Sequence, residues 1–171
     1  MIQQEIFFTE DQMFRQWWLW LILLGIDGTI LFWLYEQLTL KTQVSGKSVS
    51  NYALLTSAGV VVLVTALFFC IRLNTQIKRD GVYMKFFPFH WSYKYYSWDM
   101  IAKSYVRTYS PLGEYGGWGI RHSNSGEGMA YNISGNKGLQ LELNNGKKIL
   151  IGTNKPEELE AVLIKLNKSN F

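Results

Sequence analysis

The chain has 171 residues, a net charge of +4, 16% aromatic residues and one cysteine, Cys70. This length allows one domain or a domain with an appendage, and a single cysteine excludes an internal disulfide. The charge is uneven. From Arg72 onward there are 14 Lys/Arg against 8 Asp/Glu, while the first 71 residues hold 3 against 5. The C-terminal part therefore suits an anionic surface, or is a solvated basic face.

Near the N-terminus, Phe8-Thr9-Glu10-Asp11-Gln12-Met13 predicts a helix start. Thr9 is the expected N-cap and Gln12 its capping-box partner, with Phe8 and Met13 as the hydrophobic staple. Trp17 to Tyr35 is then 19 residues with one charge, and Tyr52 to Ile71 is 20 with none. Each approaches the roughly 20 residues that cross a bilayer core. Trp and Tyr gather near their ends, where amphipathic rings favour the interface. The acidic flank of Glu5, Glu10 and Asp11 and the lack of a small-residue cleavage site argue against a cleaved signal peptide. The two spans predict an antiparallel hairpin with both termini on one side. Arg15, Arg72, Lys78, Arg79 and Lys85 flank the spans on that side, against Lys41 and Lys47 on the other. This imbalance places both termini in the cytoplasm, with the chain multi-pass in the cytoplasmic membrane. The sequons at Asn132 and Asn167 are without consequence on that side.

Asp27 lies near the middle of the first span, where a carboxylate costs about 2.5–3.5 kcal/mol. Depth matching sets it opposite Val61, within reach of Thr56, Ser57 and Thr65. It either fastens the helices or an oligomer, or serves a proton or ion path.

From Gly81 the pattern changes to short β-like runs. Seven strands are expected: 81–87, 91–96, 100–109, 117–122, 128–134, 138–143 and 147–153. A helix over 156–167 follows, with Leu159, Val162, Leu163 and Leu166 on one face. In LQLELNNGKKILI a three-residue loop, Asn144-Asn145-Gly146, pairs Leu139 with Ile151, Leu141 with Ile149 and Glu142 with Lys148. Gly146 takes the left-handed position.

The order DGVYMKFFPF, SWDMI, YSPLGEYGGWGIR and GNKGLQLELNNGKKILIGTNKPEEL, behind two spans, resembles the bacterial pleckstrin-homology-like (PH-like) membrane proteins. The resemblance covers nearly the whole chain. It implies an α+β membrane protein. Residues 1–73 would form a transmembrane helical hairpin, and residues 74–171 a PH-like seven-stranded antiparallel barrel or sandwich capped by a C-terminal helix. It implies a membrane-anchored cytoplasmic domain and no particular reaction.

EYGGWGIR, Glu114 to Arg121, has the glycines of a phosphate loop, but it leads into the alternation of Trp118, Ile120 and His122 and not into a helix. It is read as a strand entry. Gly46-Lys47-Ser48 has the tail of a Walker motif and lacks its first glycine. Arg121 either binds a phosphate or carboxylate or pairs with Glu114 or Glu127. Around Phe89 and Trp91 the hairpin KFFPFHWSYKYYSW is aromatic. It carries Lys85 and Lys94 but lacks the dense basic cluster of inositide-binding PH domains. Lys85, Phe89, Trp91, Lys94 and Arg121 are the expected lipid or partner contacts. Membrane lipids are the first expected partner. A protein partner, or a homo-oligomer through the spans, is the alternative. His90 and His122 show no metal spacing, and no nucleophile, cofactor or nucleic-acid motif is found. A non-catalytic binding module is therefore expected.

Overall fold

The computed structural model describes residues 5–40, 51–123 and 126–168. By contact these fall into two compact units. One runs up to Phe14 and resumes at Ile71; the other is Arg15–Cys70.

The helical unit holds α1 (Trp17–Leu40) and α2 (Asn51–Cys70). Neither has a polar stripe. α1 contains a 20-residue window, Trp17–Glu36, long and apolar enough to cross a membrane, and α2 contains a shorter apolar stretch, Leu55–Cys70. The helices pack along each other, with the Trp20 and Phe69 rings 5.9 Å apart, edge to face. Trp20, Leu23, Asp27, Ile30 and Leu34 on α1 are among its less exposed positions, as are Ala58, Val61, Thr65 and Phe68 on α2. This three- and four-residue spacing is that of two helices sharing a seam.

Among the described residues the other unit holds nine strands. β1 (Ile6–Met13), β2 (Arg72–Lys78), β3 (Gly81–Phe87) and β4 (Lys94–Ser97) form one antiparallel sheet in that order. β5 (Ile101–Thr108), β6 (Gly119–His122), β7 (Met129–Asn132), β8 (Lys137–Leu143) and β9 (Lys148–Gly152) form a second, ordered β5-β8-β9-β7-β6. A short helix α3 (Pro111–Tyr115) follows β5, and α4 (Pro156–Lys165) closes the chain.

The structure corrects several expectations. The helix start at Thr9 is instead β1, an edge strand paired antiparallel with β2, Glu10 opposite Thr75 and Met13 opposite Arg72. Phe8, Glu10 and Gln12 point inward and Thr9 and Asp11 outward. Two of the three inward residues are polar, so the two-residue period does not show as hydrophobicity. β2 has a plain alternation, with Leu73, Thr75 and Ile77 buried. The boundary expected between residues 73 and 74 falls inside it. The chain is α+β, but its strands form two sheets, not one consecutive antiparallel barrel. β7 and β9 run parallel, Ala130 opposite Leu150. The β6–β7 hairpin falls between β5 and β8 in sequence, and β7 docks on the open edge of β9. At Gly128, beside this junction, a Cβ would lie 2.0 Å from the Lys148 carbonyl oxygen, so only glycine fits. The strand expected at 91–96 begins only at Lys94, because residues 88–93 turn.

The β8–β9 hairpin matches its expected register: Leu139 opposite Ile151, Leu141 opposite Ile149, Glu142 opposite Lys148. Gly146 sits at φ +80°. The core is deeply buried: Leu73, Ile77, Val82, Met84 and Phe86 from the first sheet, Leu139, Leu141, Leu150 and Ile151 from the second, Leu159 and Leu163 from α4. Each such side chain contributes about 1.5–3 kcal/mol on burial.

β1 is bolted to the far end of the second sheet. The Glu10 carboxylate accepts from Thr153 Oγ1 at 2.6 Å and from the Asn154 amide at 2.8 Å. Gln12 Nε2 donates to the Gly152 carbonyl at 2.7 Å. These bonds explain why Glu10 points inward, since both of its carboxylate oxygens accept, and they hold Gln12 by its Nε2 while its Oε1 stays buried without a partner.

Candidate functional site

EYGGWGIR ends α3 with Glu114 and Tyr115, bends through residues 116–118 and enters β6 at Gly119. Ser110 caps α3: its Oγ accepts from the Gly113 amide at 3.1 Å, and the Glu114 carboxylate accepts from the Ser110 amide at 2.7 Å. Gly116, at φ +69°, ends the helix by returning its amide to the Leu112 carbonyl. Tyr115 and Tyr109 then pack on Ala130 and Leu150, covering the face of the second sheet that α4 leaves open. β6 follows, with the Gly119 amide donating to Asn132 Oδ1 at 2.9 Å. Asn132 also donates to Tyr109 OH and is fully buried.

Arg107, which the sequence reading passed over, is the polar centre of this cover. Its guanidinium meets Glu114 at 2.8 Å, Gln140 Oε1 at 2.9 Å, Tyr115 OH at 3.2 Å and Glu127 at 3.7 Å. Burial disfavours its charge, but hydrogen bonding and attraction to Glu114, with smaller help from Tyr115 and Glu127, raise its pKa. Burial alone would raise Glu114; bonds from Arg107 and the Ser110 amide outweigh it and hold the carboxyl below its ordinary value. The pairing expected of Arg121 with Glu114 or Glu127 therefore belongs to Arg107. Arg121 is exposed, and its Nε donates to the Trp118 carbonyl at 3.0 Å. Arg107 carries no motif, and only the register of β5 on β8 reveals it.

The remaining candidates gather at the β3–β4 turn. The His90 amide donates to the Phe86 carbonyl at 2.8 Å, and His90 Nδ1 accepts from the Phe86 amide at 3.4 Å. Phe89 is 58% exposed and Trp91 82% exposed. Trp91 stands edge-on to Phe87 at 5.8 Å. The Lys85 ammonium lies 5.8 Å from the Phe87 ring centre and 5.9 Å from that of Tyr93. Lys94 is drawn inward: it donates to Tyr131 OH at 2.9 Å and ties the first sheet to the second. The His90 ring packs 5.6 Å from Tyr131, and burial, then Lys94, lowers its pKa. Of the five expected contacts the turn unites Lys85, Phe89 and Trp91. Lys94 is structural, and no hydrogen bond or ion pair among the described residues joins Arg121 to the turn.

Asp27 lies on the seam of α1 with α2, half-buried, and its Oδ1 is buried without a hydrogen-bond partner. Thr65 Oγ1, on the facing stripe of α2, is in the same state. Among the described residues no cluster of His, Cys, Asp and Glu could hold a metal ion.

These features define an α+β protein of two sheets with a long apolar helix after its first strand. Residues 6–169 match the model of a family of unknown function, DUF6141, and the chain belongs to that family. The match opens at the first residue of β1, so the strand before the helices is part of the family's unit. No curated protein and no solved structure matches the chain.

Proposed function

We propose that the chain is an integral membrane protein in which α1 and α2 both cross the bilayer. It displays the two-sheet unit at one membrane face as a non-catalytic binding module. The observation that carries this reading is the pairing of β1 with β2 across the helical unit. Met13 and Arg72 are neighbours, so the chain that leaves at Met13 returns beside it. If α1 crosses, α2 must bring the chain back. Asn51–Cys70 is 20 residues, about 30 Å of helix at 1.5 Å per residue, which equals the hydrocarbon thickness. The basic flank of Arg15, Arg72, Lys78, Arg79 and Lys85 favours the cytoplasmic face of the cell membrane for the sheets.

The PH-like resemblance fits a different set of strands from the one first expected. β1-β2-β3-β4 and β5-β8-β9 are two antiparallel meanders followed by α4. On this reading the helix pair is an insertion after the first strand, and β6–β7 an insertion after the fifth. Alkaline carbonate washing of membranes that hold the full chain tests the anchor. Retention in the membrane pellet is expected, and release into the supernatant contradicts the proposal.

A further inference from the structure

We propose that the β3–β4 turn docks on the anionic phospholipid surface of the membrane that holds the helices. Phe89 and Trp91 enter the interface, and Lys85 meets the headgroup phosphates. This rests on the membrane-anchored reading above and adds the partner's chemistry.

Three observations point to lipid. First, three large aromatic side chains of this turn are exposed: Phe89, Trp91 and Tyr93. Their counterparts Phe86 and Met84 on the inner face are buried, so the sheet's own core does not need them. Rings with an apolar body and a polar edge settle at the headgroup level. Second, residues 81–97 contain no carboxylate. Lys85 has no ion-pair partner among the described residues and is framed by the Phe87 and Tyr93 rings. A cation held among aromatic rings with no acid at ion-pair distance suits an anionic surface. Third, the turn follows the strand end that the chain ties to α2. Phe87 pairs with Arg72, and only Ile71 separates Arg72 from α2, a reach of roughly 7 Å of extended chain. A protein partner would have to find this turn by diffusion, whereas the lipid headgroups are within its tether.

The test uses the full chain with Cys70→Ala and Ser92→Cys. The cysteine carries an environment-sensitive fluorophore, and the chain is reconstituted in vesicles of phosphatidylcholine with or without phosphatidylglycerol. With the anionic lipid the label is expected to shift to the blue and to be shielded from aqueous iodide. Lys85→Gln should lower the docked-to-undocked ratio about five-fold in the anionic vesicles and leave the neutral ones unchanged, the effect of one basic residue near an anionic leaflet. Trp91→Ser should abolish shielding while a second label at Lys147→Cys reports an unchanged fold. An iodide-accessible Ser92 label in a carbonate-resistant chain overturns docking and leaves the anchor standing. A chain that leaves the vesicles on alkaline washing overturns both. Shielding that is equal in both vesicle types overturns the role given to anionic lipid. Shielding found only in native membranes replaces lipid with a protein partner.

Discussion

Met13 and Arg72 are cross-strand partners, and the whole helical unit lies between them in the chain. The helix pair thus stands where a β-hairpin would have its turn. β1 is integral to its sheet, since its inward side chains are bonded to the end of the second sheet.

Replacing residues 14–71 by Asn-Gly closes the same hairpin with a two-residue turn. This chain is expected to fold in water and to unfold cooperatively on heating, followed by circular dichroism. A fragment beginning at Asn74 lacks β1 and Leu73, leaves the core edge of β2 open, and should show no cooperative transition. The opposite ranking would refute the assignment of β1.

Glu10 receives two hydrogen bonds in a buried setting. Glu10→Gln turns an NH2 group towards one of two donors. The expected cost is about 2 kcal/mol, in the range for hydrogen bonds to a charged group. Denaturant unfolding in detergent reads it, and a loss under roughly 0.5 kcal/mol, the scale of surface changes, would contradict the bolt.

His90 gives the turn a pH dependence. Its Nδ1 accepts the Phe86 amide, so the neutral ring is the one that fits, and burial and Lys94 lower its pKa. The native state then binds fewer protons than the unfolded state. The stabilisation is full above about pH 6.5 and is lost as the pH falls through that value towards the lowered one. His90→Gln should flatten the stability profile between about pH 7 and pH 5 relative to the native chain. Identical slopes would show that His90 does not titrate on unfolding.

Two glycines separate backbone strain from steric exclusion. Gly146, at φ +80°, has open space where a Cβ would go, so Gly146→Ala should cost roughly 1–2 kcal/mol. At Gly128 the Cβ would collide with the Lys148 carbonyl. Gly128→Ala should therefore cost more and loosen β7 from β9. Comparison of the two melting temperatures decides it, and equal losses would mean that the β7–β9 contact yields.

The β8–β9 register was legible because Leu139, Leu141, Ile149 and Ile151 form an apolar alternation around a turn that only glycine suits. α4 was legible from its leucine spacing. β1 was not, because Glu10 and Gln12 occupy its inner face and their partners lie more than a hundred residues away in sequence. β2 was hidden by its closeness to the apolar run before it. The parallel β7–β9 pair is a non-local choice that no short window records. At the candidate site, composition identified the aromatic turn. It could not separate Lys85 from Lys94, which differ only in whether Tyr131 from the other sheet lies within reach. Arg121 and Arg107 look alike in the sequence, and it is the capped turn of α3 after β5 that brings Glu114 back to Arg107.

Both helices are proposed to cross the membrane and to return the chain to the same face. Single-cysteine reporters at Ser45→Cys, between the helices, and Lys147→Cys, in the β8–β9 loop, each in a Cys70→Ala background, test this most directly. They are labelled with a membrane-impermeant maleimide in intact cells and after lysis. Ser45→Cys is expected to label in intact cells and Lys147→Cys only after lysis. Labelling of both positions under the same condition would mean that the helical unit does not carry the chain across the membrane and back.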